Sequence, residues 1–156
     1  NGAMVIFQRG TAATTDLTYS VDRWRLVKSN DASESVSQNT DAPTGFSYSL
    51  RNTIATGDAS IGSTQYSGFE QAIEGYNVAD LDFGLSTAKF FTISFWVRSS
   101  LTGLFSGTVS NDGYDRNYTF TYTINQANTW EQKTITVPGC TDGSWLTTKK
   151  YLKGCT

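Results

Sequence analysis

Residues Phe91 to Arg98 read FTISFWVR, and the large apolar side chains Phe91, Ile93, Phe95 and Val97 fall on every second position. A period of two is the repeat of a strand with one covered face. β-branched and aromatic residues dominate the run, which argues against a helix. Thr92, Ser94, Trp96 and Arg98 take the opposite face. Ser99, Ser100, Thr102 and Gly103 then interrupt the pattern as turn residues do, and a second β-prone run follows from Leu104 to Ser110. Two strands joined by a short polar turn predict an antiparallel pair between these runs.

The same alternation recurs along the chain. Strands are expected within 1–10 (Met4 to Gln8), 19–28, 34–38, 46–55 and 69–75, with Phe46, Tyr48, Leu50 and Ile54 pointing inward in the fourth. Tyr118 to Ile124 sets Tyr118, Phe120, Tyr122 and Ile124 against three threonines. Trp130 to Val137 closes the set, and its phase slips between Trp130 and Ile135, which predicts a bulge. Residues 39–45, 56–68 and 111–117 read as loops, the last around an Asp112-Gly113 turn. Only Asn77 to Phe83 could form a helical turn, with Asn77 as its cap. Eight or nine short strands and almost no helix predict an all-β fold, an antiparallel β-sandwich or jelly roll. At 156 residues the chain is expected to form one domain, able to bury about 70% of its unfolded surface without metal or disulfide.

Composition narrows the chemistry. There is no histidine, so neither a Ser-His-Asp nor a Cys-His mechanism is available. Net charge is −2, which argues against a nucleic-acid partner. No run is long and apolar enough for a transmembrane helix, and no membrane partner is expected. No signal peptide is visible and the first residue is Asn1, so the chain reads as a fragment, a processed form or the ordered part of something longer. Charged residues make up 17% of the chain; Ser, Thr, Asn and Gln take their place and suit neutral hydroxylated ligands. The close acid pairs Glu70/Glu74 and Asp80/Asp82 also read as ordinary surface carboxylates, and no enzymatic activity is expected. Cys140 and Cys155 either form a disulfide that pins the C-terminus, contributing about 3 kcal/mol, or remain free thiols.

Several blocks, in order, carry a resemblance: NGAMVIFQRG, YSVDRWRL, PTGFSYSLR, QAIEGYNVADLDFG, FTISFWVRSSLTGLFSG and TYTINQANTWEQKTITVPG. They resemble a jelly-roll domain of tailed-bacteriophage virion proteins, found in tail-fibre and capsid-surface proteins, notably of marine phages. That domain is similar in architecture to the carbohydrate-binding modules of glycoside hydrolases. The resemblance covers residues 1–145. It implies a non-enzymatic structural protein on the virion surface (capsid, tail or fibre), with other virion proteins as partners, homo-oligomeric assembly favouring a trimer, and recognition of host glycans. A capsid decoration, cement or fibre-attachment subunit with protein contacts alone, and a module of a glycoside hydrolase, are the alternatives. The tail, 146–156, departs from the family by lacking an alternating closing strand: either that strand is truncated, or the tail serves another purpose such as docking on a neighbouring subunit.

Two sets of site residues follow. Trp96 can stack on a sugar ring while Arg98, Gln71 and Glu74 hydrogen-bond its hydroxyls; alternatively Trp96 is core and Arg98 pairs with a carboxylate. Asp22, Asp80 and Asp82 supply the hard oxygen ligands that calcium requires, and the resemblance implies a structural calcium, although no EF-hand spacing is present. Trp24 and Trp130 are expected in the core.

Overall fold

The structure is a computed structural model that describes residues 1–145 and the backbone of 151–154. Among the described residues the fold is nearly all β, with antiparallel pairing and two single turns of 3-10 helix, Gly75–Asn77 and Ala79–Leu81. The described residues divide into two compact units, Asn1–Gln71 and those from Ala72 onward.

In the first unit, β1 (Trp24–Lys28) pairs with β4 (Ser67–Glu74), placing Trp24 opposite Gln71 and Lys28 opposite Ser67. β2 (Ser33–Asn39) pairs with β3 (Ser49–Thr56). Ala13, Leu26 and Val36 are fully buried, with Leu50 and Phe69 packed against them. Trp24 meets Phe69 edge-on at 5.8 Å. Glu34 is also buried, and it accepts from Asn52 Nδ2 at 3.1 Å and Ser67 Oγ at 2.5 Å, with Lys28 Nζ 3.7 Å away.

In the second unit, β5 (Phe91–Val97) pairs with β8 (Glu131–Val137), and β6 (Gly103–Ser110) pairs with β7 (Asn117–Ile124). Their apolar faces meet. Val109, Phe120 and Val137 are buried, and Phe91, Ile93, Phe95, Tyr122 and Ile135 pack against them. Phe95 bridges the layers, lying 5.2 Å from the Tyr122 ring and 6.5 Å from that of Phe120. Of the expected tail, Tyr151–Gly154 forms β9, with Lys153 and Gly154 opposite Ser110 and Val109. The rest of 146–156 lies outside the described residues.

Several local expectations are corrected. The runs at 91–97 and 103–110 do not form a hairpin with each other: β5 takes β8 as its partner and β6 takes β7. Both strands have one apolar face, so periodicity left their partners open. No strand forms within 1–10, because Met4 sits at φ 55° and a turn bond runs from Met4 N to Asn1 O. β1 begins only at Trp24, after a turn that puts Arg23 at φ 76°. Phe46 and Ile54 are exposed rather than inward. β8 runs in unbroken register from Glu131 to Val137 against β5, without the expected bulge. Asn77 caps neither 3-10 turn; its side chain donates to Glu74 Oε2 at 3.1 Å.

Candidate functional site: the outer face of β5 and β8

Burial along β5 alternates without a fault, so Thr92, Ser94 and Trp96 face outward. The register sets Thr92 opposite Thr136, Ser94 opposite Thr134 and Trp96 opposite Gln132. These β8 residues are exposed too. The result is a two-strand strip of hydroxyl and amide side chains with no charge among these six positions. The stretch from Thr92 to Trp96 is about 13 Å long. The Trp96 indole is 40% exposed, so Trp96 is not core. Arg98 follows β5 by one residue and is half-buried.

The charges of β8 lie on its other parity, at Glu131 and Lys133. Lys133 Nζ bonds Glu131 Oε2 at 2.6 Å, and the backbone amides of Asn125 and Gln126 donate to Glu131 Oε1 at 2.8 and 2.9 Å. The lysine contact first, then these amides, hold the Glu131 carboxyl at about 2. The bonds tie the turn before β8 to the strand, so the acid stabilises the scaffold of the strip rather than adding charge to it.

The other expected glycan contacts fall elsewhere. Gln71 belongs to the first unit, where it stands opposite Trp24 on β1. Glu74 ends β4 and accepts the Asn77 amide.

The aspartates proposed for calcium are engaged separately. Asp22, in the first unit, accepts from Gln8 N at 2.7 Å and pairs with Arg9 at 3.4 Å. Asp82 adopts the left-handed conformation at φ 55° and lies 3.7 Å from Lys89 Nζ. Asp80 is exposed in the second 3-10 turn. Among the described residues no three acids or cysteines gather as a metal cage would require. Glu70 is buried against the Arg25 guanidinium. Cys140 Sγ donates to Asp142 O and Oδ1, each at 3.3 Å; Cys155 lies outside the described residues.

One group of residues was not singled out from the sequence. Asn111, only 2% exposed, is the hub of the β6–β7 loop, and Trp145 joins Arg116 and Asp142 around a cavity in the second unit. The one signal was their concentration in turn-rich segments. No periodic pattern links positions some thirty residues apart.

No family model, no curated protein and no solved structure matches the chain.

Proposed function

We propose that the protein is a non-enzymatic, jelly-roll-like module of a tailed-phage virion surface that holds host glycan across the outer face of β5 and β8. The observation that carries this reading is the exposed Trp96 indole at the end of an uncharged hydroxyl strip. An aromatic face covers the apolar C–H surface of a sugar ring, and neighbouring hydroxyl and amide groups exchange hydrogen bonds with its hydroxyls. A neutral strip avoids stripping water from charges when a neutral chain binds. The virion setting rests on the resemblance of the ordered sequence blocks. Titrating the protein with surface polysaccharide from candidate host bacteria, followed by calorimetry, tests the reading. Wild type should bind and Trp96→Ala should not, with both folded; equal binding by the two proteins refutes it.

A second reading, attachment to other virion proteins, draws on a different observation. Phe90, Leu101 and Leu104 are 71%, 69% and 72% exposed, and large apolar side chains in water are a common mark of protein contacts. Replacing all three by serine should then prevent incorporation into particles while leaving glycan binding intact.

A further inference from the structure

The second unit contains a cavity of about 290 Å³. Phe83, Tyr118, Pro138 and Trp145 form its apolar walls, and Arg116 and Asp142 bring charge to it. The Trp145 ring is set from two sides: its edge packs on Phe83 at 4.7 Å, and its Nε1 donates to Asp142 O at 3.1 Å.

The loops around the cavity are fastened together. Asn111 Oδ1 accepts from the backbone amides of Asp115 and Arg116, both at 3.2 Å. Its Nδ2 donates to Asp115 Oδ1 at 2.5 Å and to Ser144 O at 3.1 Å. The loop that carries Arg116 is thereby tied to the loop that carries Asp142 and Trp145. Glycines let the backbones close in: a Cβ on Gly143 would lie 2.7 Å from the Arg116 side chain, and one on Gly139 would lie 2.5 Å from the Ala88 backbone. The walls are built before any ligand arrives, as in most small-molecule sites.

Arg116 and Asp142 decide the ligand chemistry. Arg116 Nε is buried and pairs with Asp142 Oδ1 at 3.2 Å, while Nη1 donates to Asp115 O at 2.8 Å and the guanidinium stays part-exposed. Asp115 Oδ2 is a second acid near the guanidinium, 3.6 Å from Nη1. Two carboxylates beside one cation leave the site without the positive field that would draw an anion. The Cys140 thiol, and then Arg116, hold the Asp142 carboxyl below its usual range, so it is ionised and accepts only. A purely apolar ligand would strip water from both groups and replace no hydrogen bond. The Asn117 amide offers little, because its Oδ1 accepts from Ser110 Oγ at 2.6 Å and its Nδ2 donates to Tyr114 O at 2.8 Å.

We propose that this cavity takes one neutral sugar ring, the end residue of a glycan, with its C–H face toward Trp145 and adjacent hydroxyls shared between Arg116 and Asp142. Adjacent hydroxyls offer the donor that the ionised Asp142 carboxylate takes and an acceptor for the part-exposed remainder of the Arg116 guanidinium. The volume sits just below the roughly 300 to 1,000 Å³ of most small-molecule pockets, which suits one ring and not a chain. The inference rests on the glycan-binding reading and adds to the β5–β8 strip a second contact that reads chain ends.

The test is a set of nitrogen-detected NMR titrations of the isotopically labelled full chain with glucose, galactose, mannose and N-acetylglucosamine, each alone. The indole signals of Trp145 and Trp96 are assigned from Trp145→Phe and Trp96→Phe. At least one sugar should shift the Trp145 indole and Arg116 Nε signals and leave Trp96 unmoved. Asp142→Asn should weaken that response at least tenfold, and Trp96→Ala should preserve it. If host polysaccharide shifts Trp96 while none of the sugars moves Trp145, this inference fails and the strip reading stands. If neither indole responds to any saccharide, both fail. A Trp145 shift produced by indole or toluene but by no sugar also overturns it.

Discussion

Asn111 Nδ2 donates to the carbonyl oxygen of Ser144 at 3.1 Å, a bond that spans 33 positions of sequence. With its three other hydrogen bonds, the side chain is a buried clamp between two loops. Asn111→Ala removes all four bonds and leaves backbone groups unpaired in a closed space. It should destabilise the protein by about 2 to 4 kcal/mol, read as a lower urea midpoint at unchanged slope.

The Arg25–Glu70 pair in the first unit is tested by removing one partner. Glu70 is 4% exposed, and Arg25 also stacks 6.0 Å from the Tyr19 ring. Glu70→Ala removes the carboxylate that faces the guanidinium in a largely covered position and should cost about 3 kcal/mol in urea denaturation. Replacing the exposed Glu in a surface pair would cost far less.

Glu131 predicts an acid response. Its carboxyl is held at about 2 against an ordinary 4.5, so its contribution to stability is complete above about pH 4.5 and lost as pH falls toward 2. Thermal unfolding followed across that window should show the wild-type midpoint falling more steeply than that of Glu131→Gln. Parallel curves would mean that the contacts with Lys133 and Gln126 do not hold in solution.

Gly139 probes the close approach beside the cavity. A Cβ there would lie 2.5 Å from the Ala88 carbonyl carbon and oxygen, and backbone cannot swing aside as a flexible side chain can. Gly139→Ala should destabilise by about 1 to 3 kcal/mol, measured by thermal denaturation. Gly2→Ala, where nothing lies within 4 Å of the added atom, serves as the neutral comparison.

That Trp96 lies on the face opposite Phe91, Ile93 and Phe95 was legible in the sequence, because alternation is a property of a single strand; that this face is exposed was decided by the structure. The all-β class and the loops at 39–45 and 111–117 were legible for the same local reason: turn residues interrupt β-branched runs. Which strand lies beside which was not. Phe91 could meet an apolar residue on β6 as well as Val137 on β8, and only packing of the whole second unit selects β8. The tertiary structure alone also brings Arg116, Asp142 and Trp145 to one cavity, since the bond that joins their loops runs through Asn111, a residue whose sequence neighbourhood reads simply as a turn. Local sequence divides the residues of a strand between two faces, while contacts between distant segments form only when the chain closes on itself, and they determine which face is covered and what it encloses.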